Sequence, residues 1–512
     1  MDRFIAGTHF YNHDMFGGIR PGGDVHLISK AYFGLAVSAF ASAFVYIGLR
    51  SGLLLMVCAE LDFSTQEMQA VDRLAELPAA FSFFIGLLAD ATPLVGYHRK
   101  AYMIVGHSLV LASLLLLGVA FSFSSALEDS LGRGYVYIMT LLLGCVSVGS
   151  MVNFVSVHTM VVTLSQRESL EDRGIVQAKY LIARVSGQVT ARILVFFITD
   201  PGHSLHVPLM LLALGAISIF SIIMAILYLD EDEDHCQHSI RTKSGKYWMM
   251  TQQKAMWRIL TFISCFAFAL GFKFSEAQRA LQVWSHVDSR RSQLLANIAS
   301  DWIMLCTILV WRRYFMNSLW RRVFATGPIV VILSQAILSA LTIPDIVRNQ
   351  VLYTLVTSFT GVSSAFIAMS TLVPVTEIAQ EGSEGGVAGL AVSFYTISKV
   401  FGSTFLSALQ SAAVFSLKDP VEDSSHARWL VATAQAVTVA VNSLSFVGIV
   451  LLPMQKLDAQ QLHTFGGFTR FAGSATVAVF LLLLTYCIVF NTLLLIPSTA
   501  CYFVVGSGGC SN

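Results

Sequence analysis

The sequence predicts an all-α polytopic membrane protein, and three observations support this fold class. Of the 512 residues, 55% are hydrophobic and only 12% are charged, whereas soluble domains carry about 25% charged residues. The apolar residues fall into thirteen runs, each close to the ~20 residues that a transmembrane helix needs. One charged stretch, residues 230–256, follows the sixth run and divides the chain.

The apolar runs predict helices rather than strands. None of them alternates polar and apolar residues, as the ~10-residue strands of a membrane barrel do. An α-helix is the other structure that satisfies its own backbone in hydrocarbon. We therefore predict transmembrane helices at 32–58, 68–89, 101–123, 134–160, 176–199, 207–229, 257–280, 292–311, 323–343, 351–376, 386–416, 430–452 and 474–497.

These helices predict two six-helix bundles and one additional C-terminal helix. Orientation follows from Lys and Arg, which concentrate in cytoplasmic loops of membrane proteins. They lie mostly in loops that face the cytoplasm if the N-terminus does. The predicted segments are a cytoplasmic N-terminal segment (1–31), a first bundle (32–229), a cytoplasmic linker (230–256), a second bundle (257–452), a second cytoplasmic linker (453–473), an extra transmembrane helix (474–497) and a tail (498–512).

The short loop after the second run carries the most distinctive motif. It combines an acid, a proline, a glycine and a basic pair, namely Asp90, Pro93, Gly96, Arg99 and Lys100. Because the loop is too short to leave the membrane surface, its charges must meet each other, helix ends or lipid headgroups. We predict a gate in which Asp90 is held by Arg99 or by a neighbouring helix terminus. The alternative is a static surface pair.

A polar stripe in the fifth run is the strongest candidate for solute binding. Arg184, Gln188 and Arg192 recur every fourth residue and therefore share one helix face. By helical rise, Arg184 lies roughly 12 Å and Arg192 roughly 24 Å from the inner end. Charged residues at such depths usually face a cavity or a partner. The stripe predicts either a pathway for an anionic solute or arginines paired with carboxylates of neighbouring helices.

Four further polar residues lie inside apolar runs. Glu76 and Asp301 are candidates for proton coupling, because a carboxyl group buried in the membrane can carry a proton, and the alternative is a structural ion pair. Lys399 lies near mid-depth of its run and is a candidate cation for the solute. Asn153 is a candidate to line the same cavity, although such residues often hydrogen-bond a neighbouring helix.

Motif searches exclude several functional classes. The sequence has no nucleotide-binding loop of the GxxxxGK[ST] type and no HExxH or GxSxG motif. The net charge of +1 gives no basis for a nucleic-acid partner. We therefore expect no enzyme activity, no cofactor and no metal, and a gradient-driven carrier is favoured over an ATP-driven pump.

Residues 77–107 resemble the folate–biopterin transporter family, a branch of the major facilitator superfamily. The residues that carry the resemblance are Pro78, Gly86, Asp90, Pro93, Gly96, Arg99, Lys100 and Tyr102. The Glu-Gly segment at 381–394 and the Leu-Leu-Pro at 451–453 are similar to further family motifs. The resemblance covers roughly residues 27–455. It implies about twelve helices in two bundles and uptake of pterins, folates or other small solutes.

The sequence thus predicts a secondary active transporter of a small organic solute, namely an anionic compound of the pterin or folate type. The predicted mechanism is alternating access in a lipid bilayer, with proton coupling as an option. Two alternatives stay open: a major facilitator carrier of an amino acid, nucleoside or organic acid, and a membrane receptor or scaffold that moves nothing. The protein is expected to be integral and multi-pass in a plasma or organelle membrane. Its partners are expected to be the solute, the lipid and protons.

Overall fold

A computed structural model describes residues 17–61, 63–124, 130, 133–198, 207–233, 239–411, 423–496 and 499. Most of the predicted N-terminal segment, the middle of the linker and the predicted tail other than Thr499 lie outside these residues. The described residues form helices, with two isolated β-bridges at Leu94–Tyr97 and Gln253–Phe468 and no longer strand.

Sixteen helices, some with irregular turns inside them, carry the fold. In chain order they are α1 Phe33–Glu60, α2 Glu67–Ala91, α3 Lys100–Ser122, α4 Gly134–Ser165, α5 Ile175–Ile198, α6 Val207–Leu227, α7 Ile240–Gln252, α8 Lys254–Gly271, α9 Ser275–Trp284, α10 Arg290–Phe315, α11 Trp320–Thr342, α12 Gln350–Ile378, α13 Glu384–Ser411, α14 Ser425–Leu451, α15 Lys456–Phe465 and α16 Arg470–Leu495.

Within the described part of the chain, twelve helices are long and apolar enough to cross a membrane. The prediction of a helical, multi-pass membrane protein is confirmed. Helix α13 corresponds to the run predicted at 386–416 and is 28 residues long, but it is not among the twelve. The helix predicted over 257–280 is divided, because α8 ends at Gly271 and α9 begins at Ser275, with an extended backbone at Phe272 and Phe274 between them.

Irregular turns accompany the charged residues of the first two helices. Arg50 lies in a π-helical turn, Leu49–Leu53, in the middle of α1. Glu76 immediately precedes a 3₁₀ turn, Leu77–Phe81, whose Pro78 cannot donate a helical hydrogen bond. Departures of this kind from α geometry are frequent at functional sites, and here they redirect the helix next to a buried charge.

Helices α2 and α13 cross with their backbones in contact. A Cβ added at Gly86 would lie 2.0 Å from the carbonyl oxygen of Gly385, and one added at Gly389 would lie 2.5 Å from that of Ser82. The backbone N–H of Phe83 also donates to Ser393 Oγ at 3.0 Å. Small residues permit this close approach in membranes, and it joins a helix from before the linker to one from after it.

Candidate functional site

The first feature of the site is a cluster of four charged residues, which we call the outer charge cluster: Arg50, Asp72, Glu76 and Lys399. Arg50 binds Asp72 through two bonds, Nε to Oδ1 at 2.7 Å and Nη2 to Oδ2 at 2.5 Å. Its Nη1 lies 3.0 Å from Glu76 Oε2. Lys399 Nζ donates to the other oxygen of Glu76 at 2.5 Å. The four charges balance, with α1, α2 and α13 all contributing.

Glu76 is the centre of this cluster. Its carboxylate also accepts a hydrogen bond from the Tyr46 hydroxyl at 3.2 Å, and its side chain is only 7% exposed. Lys399 is 37% exposed, so the lysine faces open space while its partner does not. A buried pair is weak evidence for stability because desolvation opposes the attraction. Glu76 therefore leaves part of the Lys399 side chain uncovered.

A second ion pair joins the two predicted bundles directly. Arg192 on α5 contacts Asp301 on α10, and Arg192 Nη1 also donates to the carbonyl of Asn297 at 3.3 Å. Both side chains are largely buried, with 19% and 8% of their surfaces exposed. The structure therefore pairs a predicted solute cation with a predicted proton carrier, as it does for Lys399 and Glu76.

Arg184 differs from these two cations. Within the described ranges it makes no ion pair. Its guanidinium lies 3.9 Å from the ring centroid of Phe154, and Nη1 donates to the Tyr180 hydroxyl at 3.2 Å. A cation on an aromatic face is attracted to the ring quadrupole, but its charge is not neutralised. Arg184 is therefore free to bind an anion without first losing a carboxylate.

A polar chain continues from Arg184 into the second half of the protein. The Tyr180 hydroxyl lies 3.3 Å from His158 Nδ1, and His158 Nε2 lies 3.2 Å from the carbonyl oxygen of Thr371 on α12. All three are buried. Helices α4, α5 and α12 are thus connected through His158.

Asn153 and Gln188 are the two remaining predicted solute residues. Asn153 is fully buried, and its amide donates to the carbonyl of Met103 on α3 at 3.2 Å. A role for Asn153 in lining the solute cavity stays a prediction. Gln188 is half-buried on the face of α5 between Arg184 and Arg192, as the fourfold spacing predicts.

The turn motif of the sequence forms a second site, at the end of the molecule that is predicted to face the cytoplasm. We call it the inner lock: Asp90, Arg99, Tyr247, Gly385 and Gly386. Asp90 is 3% exposed and is contacted by the Arg99 guanidinium and the Tyr247 hydroxyl. It also accepts the backbone N–H groups of Gly385 at 3.2 Å and Gly386 at 2.8 Å.

The inner lock places a carboxylate at the start of α13. The first N–H groups of a helix have no intrahelical acceptor and carry partial positive charge, so an anion there is stabilised. Burial and the adjacent Asp90 carboxylate raise the pKa of the Tyr247 phenol, which stays a hydrogen-bond donor. Asp90 thereby ties the end of α2 to α7 and α13.

The rest of the turn motif fixes α3. Gly96 has a φ of 82°, a left-handed conformation that favours glycine. Glu231 accepts the backbone N–H of Arg99 at 2.9 Å and of Lys100 at 2.7 Å, and so caps α3. The Lys100 ammonium donates to the carbonyl of Leu229 at 2.9 Å, near the end of α6. Pro93 is buried in the turn just after α2.

A further buried pair lies at the same end of the molecule. Arg173 Nη1 is 2.8 Å from Glu377 Oε2, with side-chain exposures of 1% and 2%. Gln460 donates to the same oxygen at 2.6 Å. Nearby, burial raises the pKa of Glu168 to about 7, although the N–H groups of Gly174 and Val176 oppose this effect. Here too the contacts connect segments from before and after the linker.

Comparisons with known proteins assign the family. A sequence profile of the BT1 family matches residues 48–464, which is most of the chain. The chain belongs to the BT1 family. It is also 28% identical over 202 residues to a protein of Synechocystis sp. (strain ATCC 27184 / PCC 6803 / Kazusa) named folate-biopterin transporter. That alignment covers 38% of this chain and 37% of the relative's length.

The family assignment confirms the predicted resemblance. Together with the twelve apolar helices, it identifies an integral, multi-pass membrane protein. The matched region begins just before Arg50 and includes the outer charge cluster, both other ion pairs and the inner lock. It ends at residue 464, before α16 begins at Arg470.

Sequence reasoning missed Arg50, Tyr247 and the pair of Arg173 with Glu377. Arg50 lies inside the first predicted run, 32–58. The rule that a charged residue inside an apolar run is a functional candidate would therefore have selected it. Asp72, which binds Arg50, was not singled out either. Tyr247 lies in the linker, where the sequence predicts a solvated segment and carries no signal of a buried contact.

Proposed function

We propose that the BT1-family chain described here is a secondary active transporter for a small organic anion of the pterin or folate type. Its solute site is built on Arg184, Arg192 and Lys399. The supporting observation is that Arg192 and Lys399 are each ion-paired to an acid of the opposite predicted bundle, while Arg184 has an aromatic neighbour and no ion pair within the described ranges.

The aromatic surroundings support an anionic aromatic solute. Phe154 and Tyr180 lie against the Arg184 guanidinium, and a flat ring with a carboxylate needs both an aromatic surface and a cation. The relative's name gives folate and biopterin as its solutes. A carboxylate that approached Lys399 from its exposed side would compete with Glu76 for the ammonium.

This competition supplies the coupling in our proposal. When a solute anion takes Arg192 from Asp301, the carboxylate loses its cation. When it takes Lys399 from Glu76, the carboxylate loses one of its two cations, because Arg50 remains, and the cluster is left with one excess negative charge. A proton then replaces the cation, because an unpaired charge in the membrane interior is costly. Since these pairs hold the two predicted bundles together, exchanging the partner also loosens one bundle from the other and permits alternating access.

In this proposal, the inner lock holds the transporter in a conformation that is closed at the predicted cytoplasmic end. Asp90 and the close approach of α2 to α13 close the predicted cytoplasmic end, and the pair of Arg173 with Glu377 reinforces it. Opening this end requires the Asp90 carboxylate to leave the N-terminus of α13. In this proposal the motif is a gate that breaks and reforms in each cycle.

Uptake into vesicles tests the proposal. The full chain is reconstituted in liposomes, and accumulation is measured for a pterin, a folate, an amino acid, a nucleoside and a simple organic acid, with and without a proton gradient. We expect saturable uptake of the pterin or the folate, increased by the gradient. Uptake of a different solute would favour an unrelated carrier, and absence of uptake together with ligand-dependent thermal stabilisation would favour a receptor.

A further inference from the structure

A cavity on α10, α11 and α12 lies apart from the solute site. Its volume is about 860 Å3, within the range of about 300–1,000 Å3 that ligand sites occupy. At 100° per residue, Val310 lies on the side of α10 opposite to Asp301, and Ile303 lies close to that opposite side. Both residues line the cavity. The cavity therefore belongs to the outer face of the protein rather than to the pathway.

The walls of this cavity are apolar and open towards the lipid. Val310, Phe315 and Phe359 line it, and between 45% and 47% of their surfaces are exposed. Exposed apolar side chains within a membrane-spanning segment contact hydrocarbon. Acyl chains are the chemistry that such a surface accepts.

The inner end of the cavity carries an unbalanced positive charge. Arg322 lines it, is exposed and makes no ion pair with any residue that the structure describes. The neighbouring Arg321 differs, because its Nε donates to the carbonyl of Leu452 at 2.7 Å. The stretch 312–322 contains four arginines and no acid. Arg322 also lies in the first turn of α11, where the helix dipole disfavours a cation.

We infer that this cavity binds an anionic phospholipid of the inner leaflet, with its phosphate at Arg322 and its acyl chains along Val310 and Phe359. Charge complementarity selects this occupant, because an apolar groove that ends in an unpaired arginine fits a lipid with a net negative headgroup better than a neutral one. Basic pockets between membrane helices on the cytoplasmic side bind anionic headgroups in this way. The inference does not depend on the identity of the solute.

Lipid retention by the purified full chain tests this inference. The protein in neutral detergent is titrated with dioleoyl phosphatidylglycerol or dioleoyl phosphatidylcholine, and bound lipid is counted by native mass spectrometry. We expect the wild type to retain the anionic lipid preferentially. One cation near an anionic surface contributes about 1 kcal/mol, so Arg322→Gln should weaken this retention about fivefold, whereas Arg322→Lys should preserve it.

Two matched variants make the result specific. Arg313 is exposed in the same basic stretch but does not line the cavity, so Arg313→Gln should leave retention unchanged. Cys306 lines the cavity, and Cys306→Trp should reduce retention of the anionic lipid by filling the volume. Equal retention of the two lipids by the wild type would overturn the inference, as would equal losses in Arg313→Gln and Arg322→Gln. The melting temperature of each variant confirms that it is folded.

Discussion

Gly86→Ala should open the inner end of the transporter. The added Cβ would lie 2.0 Å from the carbonyl oxygen of Gly385, whereas non-bonded heavy atoms prefer about 3.5–4 Å. Helices α2 and α13 must therefore separate by about 1.5 Å. The bond from the Gly386 N–H to Asp90, now 2.8 Å, would then exceed hydrogen-bonding distance.

The magnitude follows from the contacts that are lost. Hydrogen bonds to a charged group contribute about 1.5–3 kcal/mol each, and Asp90 accepts one from Gly385 and one from Gly386. Losing both costs about 3–6 kcal/mol and shifts the equilibrium between closed and open inner ends by about 10²- to 10⁴-fold. Asp90→Ala removes the same bonds from the other side and should abolish transport while the protein still reaches the membrane.

Distances between spin labels measure this shift. Val95 and Met454 are 89% and 52% exposed. Val95 lies in the first predicted bundle, and Met454 lies in the linker that directly follows the second. Labels at these two positions, in a background without other cysteines, should report a longer mean distance in Gly86→Ala than in the unsubstituted protein. Vesicle uptake should fall in the same variant.

Gly144→Ala provides the control for Gly86→Ala. Gly144 lies inside α4, and a Cβ added there meets no atom within 4 Å. The two substitutions have the same effect on helix propensity and differ in the helix contact alone. An unchanged distance distribution and normal uptake in Gly86→Ala would refute the reasoning, because the α2–α13 contact would then not be needed for closure.

Three further predictions concern single charged groups. Arg184→Ala should reduce uptake of an anionic solute more than uptake of a neutral analogue. Arg184→Lys keeps a positive charge and should keep the preference for the anionic solute. Equal losses for both solutes in Arg184→Ala would make the residue structural. Glu76→Gln leaves cations without their partner and should destabilise the protein by about 3–5 kcal/mol in thermal unfolding, with partial recovery when Lys399→Met is added. Burial raises the pKa of Glu168 to about 7, above its unfolded value of about 4.3. The native state therefore binds the proton more tightly than the unfolded state, and the free energy of unfolding should fall as pH rises from about 4.3 to 7. Glu168→Gln should flatten this decline, whereas Glu171→Gln, at an exposed position, should not.

The sequence predicted which residues would be unusual better than it predicted their partners. Charged residues stand out in apolar runs because their transfer to hydrocarbon is costly, and this rule found Glu76, Asp301, Arg192 and Lys399. It left ion pairing open as an alternative but did not predict which cation meets which carboxylate. Those pairs join residues more than 100 positions apart, and a periodic pattern along one helix carries no information about which helix lies beside it.

The turn motif shows the same division. Its proline, glycine and basic residues predicted a tight turn, and the structure has Gly96 in a left-handed conformation there. The sequence offered Arg99 or a helix end as partners of Asp90, and the structure supplies both, with Tyr247 in addition. Tyr247 was out of reach because a linker has no periodicity that marks a buried face.

By itself, the sequence determined the class of the protein: the hydrophobic effect and the cost of unsatisfied backbone groups in a bilayer act on local composition, so runs of apolar residues are sufficient to predict membrane helices. Only the tertiary structure decided that α2 contacts α13, that Arg192 meets Asp301 and that Arg184 has no carboxylate beside it in the described chain. These outcomes depend on how helices pack, and packing is set by side-chain shape across contacts that are distant in the chain.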